Sequence, residues 1–154
     1  MLGKLLCRRF PNGDVRRYRV TETEAYCGED DTACHAHRCP TGRARVMFSA
    51  VGLAYVHRCH MYNLLTVVVG PEGIPEGVLI RGVEGFDGPG RVGRELGLEL
   101  DMYGSEMSPD GYLWLEDDGL VPDGVEASPR VGIPYATEED RSALWNFRAF
   151  EGRK

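Results

Sequence analysis

Lysine is nearly missing from this chain: Lys4 and Lys154 are the only two in 154 residues. Chemistry that runs through an amine nucleophile, such as Schiff-base formation, therefore has almost no candidates beyond the N-terminal amine. Long apolar runs are missing too. None approaches the ~20 residues needed to cross a bilayer, and residues 1–7 are too short for a signal-peptide core, so a cytoplasmic protein without membrane association is expected. Low-complexity stretches and internal repeats do not occur. Cysteine is sparse and odd in number, with Cys7, Cys27, Cys34, Cys39 and Cys59, which excludes a disulfide scaffold and fits a reducing compartment. Net positive charge is lacking as well. At −6, the chain as a whole is no simple phosphate-binding surface, which would need clustered Lys and Arg.

The distribution of charge says more than its sum. Residues 1–60 carry ten Lys/Arg against six Asp/Glu, whereas residues 61–154 carry eight against eighteen. Arg38, Arg43 and Arg45 form a short basic segment able to reach phosphates, with an ordinary solvated loop as the alternative. Twenty glycines and nine prolines spread along the chain predict many turns in one domain spanning residues 1–154. Strand-like runs fall at 17–26, 54–59, 64–69 and 78–83, the middle two forming a hairpin with its tip around His60, Met61, Tyr62 and Asn63. Helical signals are fewer, at 30–36, 90–96 and 138–145, and residues 98–128 read as a loop-rich acidic excursion. The fold class is α+β: a mostly antiparallel curved β-sheet, flanking helices and a protruding β-hairpin.

Within the first run, the segment Glu22-Thr23-Glu24-Ala25-Tyr26 carries the strongest signal. Strand alternation puts Tyr18, Val20, Glu22, Glu24 and Tyr26 on one face, so two carboxylates fall on the apolar side. A carboxylate there costs several kcal/mol unless it is paired or used, which marks a candidate for chemistry. The alternative is a strand that ends near Val20 and leaves both glutamates solvated. Arg81, inside the apolar run Val78-Leu79-Ile80-Arg81, independently calls for a buried anion. Glu24 is the expected partner, with a structural pair to Glu22 or Glu84 as the alternative. Two further patterns carry less. Cys34, Cys39, His57 and His60 match zinc-ligand spacings only loosely, and no metal is expected. Gly88-Pro89-Gly90-Arg91-Val92-Gly93 satisfies G-x-G-x-x-G but has proline in second place and no βαβ frame, which counts against a dinucleotide-binding module.

Taken in order, 21–26, Cys34-His35, 41–48, Tyr55-Val56, 78–84 and 88–91 resemble the alkyladenine (3-methyladenine) DNA glycosylase family of the mammalian type, over about residues 2–148. The resemblance implies a monofunctional DNA glycosylase of base-excision repair, without cofactor, acting as a monomer on double-stranded DNA that contains damaged purines: 3-methyladenine, 7-methylguanine, hypoxanthine and ethenoadenine. It makes Glu24 the general base and Arg81 the residue that helps hold the nucleophilic water. Tyr26 and His35 become the two faces of a sandwich around a flipped base, and His57 stands where a second pocket tyrosine is expected. Thr66 replaces an asparagine that crowds the guanine amino group, implying relaxed discrimination. The hairpin is one residue short, so that His60 or Tyr62, beside Met61, must supply the wedge that fills the gap left by the base. The usual N-terminal helical stretch is absent from the chain as it begins at Met1. A lesion-binding protein of the same fold that has lost turnover is the rival function.

Overall fold

The computed structural model describes residues 1–150. Its scaffold follows from one long strand. β2 (Val15–Cys27) runs thirteen residues because its Val, Thr and Tyr content suits a pleated surface. Its first half pairs with β1 (Leu5–Arg9), its second with β5 (Glu76–Val83) on one edge and β9 (Asn146–Phe150) on the other. The path continues as β3 (Ala54–Cys59), β4 (Tyr62–Val68), β5, β2, β1 and β7 (Leu113–Glu116), while β6 (Phe86–Asp87) joins β5 and β8 (Gly124–Ser128) joins β9. Every pairing is antiparallel.

The β2–β5 register slips twice. Thr21 is the extra residue on β2, and Arg81 is the extra residue on β5 between the pairs Glu22–Gly82 and Thr23–Ile80. A bulge bends its strand and re-aims a side chain, and these two sit where the carboxylates are.

The main core packs Leu6, Tyr18, Val20, Val56, Leu65 and Ile80 under Val92 and Leu96 of α2 (Pro89–Glu95). A second cluster lies beneath α1 (His35–Arg38) and the 3-10 turn Arg43–Phe48, and a third joins Ala33 to Ile133 and Ala136. Tyr26 packs against both of these smaller clusters.

Several expectations are corrected. Residues 98–128 are loop-rich, as expected, but they also hold the 3-10 turn Leu100–Met102 and two short strands, β7 and β8. These strands are four and five residues long and gain their stability from partners far away in sequence, Leu5–Arg9 and Asn146–Phe150, so no local period announces them. The helix expected at 30–36 shrinks to His35–Arg38 because Asp31 bonds the backbone N–H groups of Cys27 and Ala33, a turn that competes with helix. α3 (Glu138–Ser142) stops short of 145, releasing Trp145. No helix among the described residues is long and apolar enough to cross a membrane.

Candidate active site

Glu22 (5 % exposed) and Glu24 (0 %) both lie inside the protein, as alternation required. Burial of two carboxylates is tolerable only with donors at hand. Glu24 Oε1 accepts from the Val131 backbone N–H (2.8 Å) and from Asn146 Nδ2 (3.1 Å), and Oε2 accepts from the Tyr26 hydroxyl (3.0 Å). Glu22 accepts from Asn146 Nδ2 (2.8 Å), Arg81 Nε (3.0 Å) and the Arg148 guanidinium (2.7 Å). Burial pushes the Glu22 carboxyl up, but the Asn146 hydrogen bond and the Arg81 and Arg148 charges outweigh it and hold it below the usual carboxylate range. Arg81, expected to face Glu24, thus donates to Glu22 and stands 3.6 Å from Glu24, bridging the two. The bulge accounts for that position: one extra residue on β5 aims the arginine between neighbouring β2 side chains.

A second layer fixes the first. Arg130 is completely buried, forks onto Asp31 at 2.6 and 2.8 Å, and donates to the Ala25 carbonyl. Its guanidinium lies 4.8 Å from the ring centres of both Tyr26 and Trp145. Residue 130 therefore clamps Tyr26 from behind and delivers the adjoining Val131 N–H to Glu24. Asn146, Arg148 and the Arg130–Asp31 pair escaped the sequence reading. They lie about a hundred residues or more from their partners, and the one available signal was an Arg and an Asn in otherwise apolar surroundings.

In front of these groups opens a cavity of about 260 Å³ lined by Tyr26, His35, Tyr55, His57, Thr66 and Arg81, with Val131 and Ile133 on the far wall. Glu24 lies behind that wall, covered by Tyr26, Arg81 and Val131. Tyr55, His35 and His57 form a ring cluster: His35 Nδ1 is 2.9 Å from the Tyr55 hydroxyl, and His57 tilts over Tyr55 with centroids 4.6 Å apart. Burial, aided by the Arg43 and Arg38 charges, pushes His35 down to about 4. Burial and neighbouring His35 push His57 down to about 3. Both rings are uncharged at neutral pH. Burial, and then the Glu24 charge, raises the Tyr26 phenol, so it stays a donor. Tyr26, His35, His57, Thr66 and Arg81 are thus brought together at one cavity.

The hairpin tip is a two-residue turn, His60-Met61, between the paired Cys59 and Tyr62. His60 has φ 53, the one positive value outside glycine among the described residues, in a place where such turns favour glycine. Met61 is 83 % exposed. Tyr62 is committed elsewhere: its ring lies against Gly90 of α2 and under the Arg94 guanidinium. Of the residues expected at the wedge, His60 and Met61 stand exposed at the tip, whereas Tyr62 is packed on α2. Arg38, Arg43 and Arg45 are all exposed on the segment beside the cavity mouth. Arg38 stacks 4.1 Å over Tyr135, and Arg43 donates to the Arg58 carbonyl and reaches His35 Nε2 at 3.5 Å.

Of the glycines in 88–93, Gly88 serves the turn into the helix with φ 93, and Gly90 and Gly93 serve packing. A Cβ on Gly93 would sit 1.9 Å from the Asn63 carbonyl oxygen, and one on Gly90 would strike Tyr62. Among the described residues, no group of three or more His, Cys, Asp or Glu side chains is placed to hold a metal ion. Lys4 is tied to Asp117 at 2.6 Å and lies outside the cavity lining, and Lys154 falls outside the described residues.

Comparison with known proteins adds an independent line. The model of the methylpurine-DNA glycosylase family matches residues 1–88 and 85–152. The chain is similar to proteins named "Putative 3-methyladenine DNA glycosylase" from bacteria and archaea. It is 36 % identical to one from Psychrobacter cryohalolentis (88 % of this chain, 78 % of that one) and 37 % identical to one from Methanocella arvoryzae (96 % and 82 %). A third, from Anaeromyxobacter dehalogenans, is 40 % identical over 88 % of this chain and 68 % of its own length.

Proposed function

The chain belongs to the methylpurine-DNA glycosylase family, and from that premise we propose that it hydrolyses the N-glycosidic bond of alkylated or otherwise damaged purines in double-stranded DNA. The observation that carries this reading is a fully buried carboxylate, Glu24, set behind an aromatic cavity of about 260 Å³ that admits a bicyclic base.

In this mechanism the damaged nucleotide leaves the helix at a cost of a few kcal/mol. Met61 enters the gap from the hairpin tip, an apolar wedge of the kind that holds a duplex kinked. Stacking on Tyr26 and the His35 side offsets the cost at about 1 to 3 kcal/mol per base. Glu24 Oε2, which receives only the Tyr26 hydroxyl, keeps a lone pair for the proton of the attacking water. Arg81 holds that water and, by its charge, helps keep Glu22 ionised against burial. Asn146 and Val131 fix the carboxylate without taking up Oε2. Bond cleavage then needs neither metal nor amine nucleophile, and the enzyme is monofunctional, a monomer acting in the cytoplasm. Lesions of the 3-methyladenine, 7-methylguanine, hypoxanthine and ethenoadenine kinds are its substrates, with Thr66 giving the guanine amino group more room.

Lesion binding without turnover is the second reading, favoured by the complete enclosure of Glu24. Single-turnover release of hypoxanthine and ethenoadenine from a labelled duplex separates the two. Wild type should release base, and Glu24→Gln should be slower by about 10² to 10⁴ while still binding. Selective binding by wild type without release would establish the second reading.

A further inference from the structure

His57 is 92 % enclosed by its surroundings, at 8 % exposure, yet no hydrogen bond holds its ring. Nδ1 is shut off from solvent without a hydrogen-bond partner of good geometry, the Tyr55 main chain being the nearest polar group to favour the protonated ring. Nε2 also lacks a protein partner among the described residues and is the ring nitrogen left open to the cavity. The position is held by packing alone, edge-on to His35 at 4.9 Å and tilted over Tyr55.

A neutral imidazole carries one N–H and one bare nitrogen, and which is which is normally fixed by the bond that the second nitrogen makes. His35 has such a bond, to the Tyr55 hydroxyl. His57 has none. We propose that His57 is a specificity-determining residue whose Nε2 hydrogen-bonds the 6-substituent of a flipped purine, and whose unpinned tautomer lets it donate to one base and accept from another. The inference rests on the glycosylase reading for the identity of the ligand as a purine. It extends that reading by assigning His57 a hydrogen-bonding role in place of a stacking one. Hypoxanthine and adenine-type lesions exchange donors and acceptors along the Watson–Crick edge. A single fixed donor would reject one of them, and a ring free to switch serves both.

The test has two parts. ¹⁵N spectra of the free protein should show His57 as a mixture of the two neutral tautomers. The mixture should resolve to opposite tautomers on binding duplexes with hypoxanthine and with 3-deaza-3-methyladenine, a stable 6-amino analogue. The second part compares affinities. His57→Leu should weaken binding of both duplexes about tenfold, leave a duplex bearing unsubstituted purine unchanged, and His57→Gln, whose amide offers either polarity near Nε2, should restore both. One tautomer in all three states, or an equal loss for all three bases, would overturn the proposal. Wild type that shows no preference for any lesion duplex would instead sink the glycosylase reading, and the tautomer spectrum of the free protein would still decide whether His57 is unpinned.

Discussion

A buried imidazole, His57, and a half-buried one, His35, give the site a titration signature at the scale of single residues. His35 and His57 take up protons only near pH 4 and 3 when folded, against about 6.5 when the chain is unfolded. Between those limits the unfolded chain binds protons that the folded protein refuses, so the two imidazoles make stability fall as pH drops from about 6.5 toward 4 and contribute no slope above 7. Discounted for partial exposure of His35, the loss by pH 4.5 is about 2 to 4 kcal/mol. Glu22, held low by Asn146, Arg81 and Arg148 against the upward push of burial, adds to it in the same direction but only below the ordinary carboxylate range. Thermal melting at pH 7.5, 6, 5 and 4.5 checks this: a melting temperature unchanged across the series contradicts the burial account, and His57→Phe should remove about half of the slope. Glu24 marks where sequence reasoning reached furthest, because alternation alone carried it to a buried face. The same reasoning stopped at Arg81, whose hydrogen bond to Glu22 depends on a bulge that period-two counting does not register.

Among the elements, α2 and the β3–β4 hairpin act as a pair. Gly93 presses on the Asn63 carbonyl and Gly90 on the Tyr62 ring, so the helix buttresses the tip. Helix propensity alone would make Gly93→Ala stabilising by about 1 kcal/mol. Steric contact reverses the sign, and a loss of about 2 to 3 kcal/mol is expected because main chain, not a flexible side chain, is in the way. Urea denaturation of the variant reads it directly, and a stabilised protein would refute the buttress. Met61→Ala tests the wedge at the same scale. The exposed thioether makes no contribution to the core, so melting should be unchanged, while single-turnover base release slows about tenfold or more as the unstacked duplex loses its prop. Equal release rates would remove Met61 from the mechanism. The G-x-G-x-x-G pattern shows the limit of motif reading here. The spacing that cradles phosphate in one frame provides, in this antiparallel one, a left-handed turn at Gly88 and the absence of side chains at Gly90 and Gly93 against a neighbouring hairpin.

For the whole molecule, charge is the property that counts. A net −6 leaves DNA contact to local clusters, and Arg38, Arg43 and Arg45 cluster beside the cavity mouth. Three phosphate contacts give a slope of about −2 to −3 for log affinity against log salt, with each arginine worth about 0.9. Anisotropy titrations from low to moderate salt should show that slope, and Arg45→Ala should lower it by about 1 across lesions. A slope near zero would mean that the arginines do not touch the backbone.

The amino-acid sequence by itself determined the pieces whose signal is local. The four strands 17–26, 54–59, 64–69 and 78–83 follow from short-range periodicity, and α2 from the Pro-Gly start and the following Gly97. Burial of Glu22 and Glu24 follows from alternation, since side chains on a strand have only two faces to choose between. Tertiary structure alone decided the rest. β7, β8 and β9 exist because distant edges complete one another's hydrogen bonds, and each is too short to declare itself. Asn146, Arg130 and the Val131 N–H reach Glu24 and Tyr26 across more than a hundred residues, and Tyr62 was taken from the hairpin tip by packing on α2. Those arrangements depend on which surfaces meet when the sheet curls, and a carboxylate can stay buried only where that meeting supplies its donors.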